Sequence, residues 1–194
     1  NLIHALKRPD VRGRWGEMTL KRLAELAGMV EFCDFDEQAK TDSAENQLRP
    51  DMIVRMPDQR ELIIDAKAPL DGYLAAIDAD TDKEKQAALE RHARNLRERM
   101  KALAGKTYWA QFKRSPDFVV LFVPGDQFLS AALSLDPQLM EDAMKNHIIL
   151  ATPSSLMALL RAVAFGWRQS VFSENAEKIR DLGEELYRRI ATLT

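Results

Sequence analysis

One cysteine, Cys33, among 194 residues leaves no partner for an internal disulfide and no basis for a cysteine-rich zinc site. Its expected place is inside, as a small apolar thiol. Glycine and proline are sparse, eight of each, which excludes a collagen-like or low-complexity chain. No segment reaches the ~18 uninterrupted apolar residues of a membrane span, and the longest candidate, Leu156 to Phe165, is broken by Arg161. Neither a secretory leader nor an N-x-[ST] sequon is legible. The first residue is Asn1, which reads as a domain cut from a longer chain. A net charge of −2 offers no overall attraction for nucleic acid.

What is present is a hydrophobic fraction of 46%, enough to fill the core of one domain. The charges are segregated. Residues 1–22 hold six basic and two acidic groups, residues 31–45 one basic and six acidic, and residues 91–114 eight basic and one acidic. Such runs are either solvated helix faces or two basic patches flanking a site.

Trp15, Met18, Leu23 and Leu26 recur at helical spacing and predict a first helix over Trp15 to Ala27, stopped by Gly28. A short strand is expected around Val30 to Phe35. Asp51 to Met56 and Glu61 to Lys67 read as two strands joined at Pro57-Asp58-Gln59-Arg60, a β-hairpin. Helices follow at about 70–80 and 83–104. Asp117 to Val123 is an apolar run suited to a strand buried on both faces. Asp126 to Leu135 reads as a short helix and His147 to Ala151 as another buried strand. Thr152-Pro153 opens a long helix with an N-cap and a proline in the first turn, with breaks expected at Gly166 or before Ser173. The order predicts an α/β (α+β) fold: a mixed central sheet flanked by helices, with a long C-terminal helix. Residues 1–152 form the expected domain, and 153–194 a helical extension packed on it.

The sharpest pattern is Arg49-Pro50-Asp51, thirteen intervening residues, then Asp65-Ala66-Lys67, which matches the PD-(D/E)xK spacing. Two carboxylates at the ends of adjacent strands suit one Mg²⁺ or Mn²⁺, a hard cation that prefers oxygen. The metal would polarise a phosphodiester and help form hydroxide. Lys67, two residues beyond Asp65, shares its strand face and would orient water and offset developing charge. The competing role for the pair is a structural Asp–Lys ion pair. Register decides. A four-residue loop turns Asp51 to the wrong face, whereas an odd loop or a bulge brings it beside Asp65.

Glu17 lies off the Trp15–Leu26 stripe, nearer Leu20 and Ala24, and is a candidate helix acid for the same metal. Arg12, Arg14, Arg94, Arg97 and Lys101 are candidate phosphate contacts. Tyr108, Trp109 and Phe112 follow the second basic run, and the rings are expected in the core. Other patterns carry no chemistry. Gly105-Lys106-Thr107 lacks the earlier glycine of a phosphate loop, because Met100 stands there. His4, His92 and His147 have no ligand spacing, and Ser154 and Ser155 read as polar residues of a helix start.

Taken together, Val11–Glu17 (VRGRWGE), Arg49-Pro50-Asp51, Ile64–Lys67 (IDAK), Ser115–Val120 (SPDFVV), Leu150–Pro153 (LATP) and Ala164–Gln169 (AFGWRQ) resemble the RmuC family of bacterial DNA recombination proteins over nearly the whole chain. The resemblance implies a restriction-endonuclease-like fold and a Mg²⁺-dependent deoxyribonuclease that limits DNA rearrangements. It makes Asp51, Asp65 and Lys67 the catalytic set, with Glu17 as helix acid. It implies DNA as partner, no small-molecule cofactor, and a homo-oligomer formed through helices or a coiled coil outside this chain. A bacterial cytoplasmic setting, with membrane tethering through an N-terminal segment absent here, is implied as well. Branches of the superfamily that keep the fold and lose cleavage leave a non-catalytic DNA-structure binding module, or an oligomerising scaffold, as alternatives.

Overall fold

A computed structural model describes residues 9–35, 50–57, 60–105 and 118–191. Helix α1 (Pro9–Ala27) is followed by a 3₁₀ turn (Val30–Phe32) and strand β1 (Cys33–Phe35). Strands β2 (Met52–Arg55) and β3 (Glu61–Asp65) form the hairpin, and helices α2 (Asp71–Ile77) and α3 (Asp82–Ala104) come next. Strand β4 (Val119–Phe122), helices α4 (Asp126–Leu135) and α5 (Leu139–Lys145), strand β5 (Ile148–Ala151) and helix α6 (Pro153–Ala191) complete the order.

The five strands make one sheet in the order β1-β2-β3-β4-β5. The first two pairings are antiparallel and the last two parallel. β3 is therefore the central strand, where the sheet changes from one mode to the other. Leu62 to Asp65 and all of β4 are buried, as strands covered on both faces must be. One face packs Ile63, Val119, Leu121 and Leu150 under α2 to α5, and the other packs Val54, Ile64, Val120 and Phe122 under α1 and α6. The result is a three-layer α/β/α domain, the mixed sheet that the pattern predicted.

Local chemistry explains most boundaries. α1 ends in a Schellman motif: Gly28 takes φ 69°, its N–H reaches Glu25 O, the Met29 N–H reaches Ala24 O, and Met29 is fully buried. α3 begins with a capping box between Thr81 and Glu84. Gly72 is where α2 crosses α3; a Cβ there would lie 2.6 Å from the His92 nitrogen. His92 is buried and bonds Phe128 O through Nε2 at 2.8 Å. Cys33 is buried, as expected.

Several expectations need correction. α1 begins at Pro9, not Trp15, since proline is tolerated in a first helical turn. Its buried face is Gly16, Leu20, Leu23 and Ala24, while Met18 and Leu26 are 63% and 54% exposed. α5, which buries only Leu139 and Ala143, was not legible as a helix. α6 runs without a break through Gly166 and Ser173. Leu156, Leu160, Val163 and Ala164 anchor its first turns in the core. Trp167, which follows Gly166, stacks on Phe32 at 4.4 Å and donates to Arg55 O, so the helix is anchored just past the glycine. Beyond it, Phe172, Ile179 and Leu182 are exposed. The ring-bearing segment Tyr108 to Phe112 and the acidic stretch 36–49 lie outside the described residues.

Candidate active site at the end of the central strand

The hairpin register settles the first question about the site. Arg55 pairs with Glu61 and Met52 with Ile64. The Met56 N–H reaches Arg60 O at 2.9 Å, so the turn between them has three residues. Asp51 donates its N–H to Ile64 O at 3.0 Å, the carbonyl of the residue paired with Met52. Two residues of one strand thus meet one of the other, as in a β-bulge. Of the two alternatives, an odd loop or a bulge, the odd loop is the one that continues this register to Asp51 opposite Asp65.

Asp51 therefore stands at the start of β2, beside the carboxyl end of β3. Its Oδ2 accepts the Ala66 N–H at 2.7 Å, and its Oδ1 lies 3.5 Å from Lys67 Nζ. Its side chain is only 9% exposed. Burial pushes the Asp51 carboxyl above the usual carboxylate range. The Ala66 N–H and Lys67 pull it back, and the charge of neighbouring Asp65 raises it again.

Asp65 is 1% exposed and points into the layer beneath α3. Both its oxygens are engaged by Arg99. Nη2 donates to Oδ1 at 2.7 Å and to Oδ2 at 2.6 Å, and Nε donates to Oδ2 at 3.1 Å. Arg99 is one of the eight basic residues of the 91–114 run. A signal for its pairing existed. His92, Leu96 and Leu103 form the buried stripe of α3, and Arg99 falls on that stripe, seven residues after His92 and four before Leu103. An arginine on a core-facing stripe needs a buried carboxylate.

Glu17 lies where its spacing to Leu20 and Ala24 put it. Its helical neighbours at i+3 and i+7 are Leu20 and Ala24, and these are fully buried, so the glutamate is on the core-facing side of α1. The adjacent Gly16 packs against Ala66, a Cβ built there being 3.5 Å from the Ala66 Cβ. α1 thus crosses the chain between Asp65 and Lys67, with Glu17 next to that crossing.

Among the described cationic candidates, Arg94, Arg97 and Lys101 do not converge on this point. Arg97 donates to Asp136 Oδ1 and to Asp142 Oδ2, each at 2.6 Å, which ties α3 to the α4–α5 corner. It serves the fold. Arg94 (65% exposed) faces Glu90 at 4.0 Å, and Lys101 is exposed. At about 100° per residue these two share a face roughly 140–160° around the helix from Arg99. Arg12 and Arg14 lie in the α1 turns before Gly16; their side chains are outside the described residues.

The donors fit a divalent cation in kind: two carboxylates at adjacent strand ends, next to a lysine. Among the described residues, however, no three His, Cys, Asp or Glu side chains gather as a metal-binding group, and Arg99 already occupies Asp65. The position is a usual one for chemistry, since open α/β sheets bind ligands beyond the carboxyl ends of their parallel strands.

The RmuC family model matches residues 1–194. The chain is 42% identical over 191 residues to the DNA recombination protein RmuC homolog of Zymomonas mobilis, covering 98% of this chain and 43% of that protein. It is 36% identical over 189 residues to the Pseudomonas aeruginosa homolog (96% and 42%) and 34% over 190 residues to DNA recombination protein RmuC of Escherichia coli (96% and 40%). The chain thus spans less than half the length of these relatives. No solved structure matches it. The chain belongs to the RmuC family.

Proposed function

We propose that this RmuC-family chain is the DNA-processing domain of a DNA recombination protein, and that it hydrolyses phosphodiester bonds with Mg²⁺ in a PD-(D/E)xK, restriction-endonuclease-like site. The observation that carries the reading is the meeting of Asp51, Asp65 and Lys67 at one end of the central strand through an odd turn. The irregular pairing at Asp51 fits this reading, because bulges are over-represented beside active sites.

A bound Mg²⁺ would polarise the phosphodiester and lower the pKa of a water. Asp51 and Asp65 are the residues that would hold it, with Glu17 on the flanking helix. The Ala66 N–H fixes the Asp51 carboxylate and leaves Oδ1 facing Lys67. The Lys67 ammonium, half exposed, can hold the attacking water by one N–H and offset charge on the phosphate. Arg12 and Arg14 are proposed to meet backbone phosphates near the α1 end of the site, and Arg94 and Lys101 to do so on the outer face of α3.

The Asp65–Arg99 pair favours a second reading, a DNA-structure binding module that does not cleave. One experiment separates the two. Wild type, Asp65→Asn and Lys67→Ala would be incubated with linear, branched and single-stranded DNA in Mg²⁺ or Mn²⁺. The nuclease reading expects cleavage by wild type and a loss of roughly a hundredfold or more in either variant, as for removal of a positioned charge or catalytic base. Salt-sensitive binding with no cleavage by wild type would support the binding module instead.

A further inference from the structure

We propose that Arg99 is a displaceable internal cation: its guanidinium holds both oxygens of Asp65 and competes directly with a divalent metal for that carboxylate. The inference rests on the metal-site reading above and goes beyond it, because it makes the closed carboxylate a regulated one.

Three observations carry it. Asp65 is 1% exposed, so it must be neutralised whenever it is charged, and Arg99 supplies the neutralising group. The contact is a fork on both oxygens, and a carboxylate in that grip has few lone pairs left for a cation. Arg99 itself is less enclosed than its partner, with 22% of its side chain reaching solvent. It arrives from α3, whereas Asp51 and Lys67 flank the hairpin end, so the guanidinium can leave without disturbing the other two. The same fork that fits a carboxylate fits a phosphate. A DNA phosphate brought to the strand end would therefore offer Arg99 a new partner as Asp65 turns to the metal. The domain would rest with its carboxylate occupied; metal alone would have to compete with the guanidinium, and metal with DNA would open the site more readily.

The test is a Mn²⁺ titration of the 194-residue chain, read by the electron paramagnetic resonance of free Mn²⁺, on wild type, Arg99→Gln, Arg99→Lys, Arg94→Gln and Asp65→Asn. Arg99→Gln is expected to bind Mn²⁺ roughly tenfold to a hundredfold more tightly than wild type, the worth of charged hydrogen bonds expressed as a ratio. Arg99→Lys should fall between the two, and Arg94→Gln within about twofold of wild type, since exposed charges interact weakly. In wild type the Arg99 Nε–H resonance should shift on adding Mg²⁺. Wild type and both Arg99 variants binding Mn²⁺ alike, or Arg94→Gln gaining as much as Arg99→Gln, would overturn the competition while leaving the metal site standing. Binding that is absent in every protein, or unchanged by Asp65→Asn, would overturn the metal site and the competition with it. Should Arg99→Gln fail to fold, the Arg99→Lys isotherm and the wild-type resonance decide.

Discussion

Arg97 and Arg99 stand two residues apart on α3, and each grips aspartate. Arg97 bonds Asp136 and Asp142 between helices, where the three side chains keep 24%, 21% and 34% of their exposure. Arg99 bonds one aspartate that is 1% exposed, at the end of the central strand. The first arrangement fastens helices together where water still screens the charges. The second keeps a charge at the floor of the sheet, where an unpaired ion is costly and where apolar packing would serve stability equally well. The comparison teaches that the same aspartate–arginine chemistry carries different stakes in the two places: the screened pair can lose a partner cheaply, whereas the desolvated pair leaves a buried charge behind.

The comparison can be broken by unequal tests. Arg99→Ala leaves Asp65 buried and uncompensated and should cost about 3–5 kcal/mol in urea unfolding, with much of it recovered by Mg²⁺ if the metal takes the vacated carboxylate. A loss below about 1 kcal/mol would put the two arginines in the same class. Arg97→Ala should cost less, about 1–2 kcal/mol, and Mg²⁺ should restore none of it, because Asp136 and Asp142 lie at the α4–α5 corner.

The smallest effect is on the acid side. Arg97 holds the Asp136 carboxyl below its ordinary value. The native state therefore binds this proton less readily than the unfolded chain, and stability rises with pH across the interval between the two values. The contribution is complete above the ordinary carboxylate range near pH 4 and is lost as pH falls through the lowered folded value. The acid limb of unfolding free energy against pH should be shallower in Arg97→Ala than in wild type. Identical limbs would remove Asp136 from the account.

The hairpin was legible because its signals are local. Alternation of period two, a proline and an aspartate at the turn, and the DxK spacing place Asp51, Asp65 and Lys67 with no knowledge of the rest of the chain. α4 was read to the residue, since Asp126 opens it and Phe128, Leu129 and Ala132 repeat on one face. α5 buries too few residues to show a period, and its N-cap has no side-chain bond. The stripe on α1 was misread because Met18 and Leu26 are apolar yet face solvent, and the face that packs is set by the sheet beneath it. The breaks expected in α6 failed for a similar reason. A helix glycine costs only about 1 kcal/mol, and the residue after it, Trp167, is anchored on Phe32 and Arg55.

What the sequence determined by itself was the fold class, the hairpin and the acidic pair it carries, all consequences of residues close along the chain. What the tertiary structure decided was the company those acids keep. Arg99 meets Asp65 across 34 residues, and Gly16 brings Glu17 to Ala66 from a different layer. Such meetings follow from how helices pack over a twisted sheet, a three-dimensional fit that no periodicity along one strand or helix can encode.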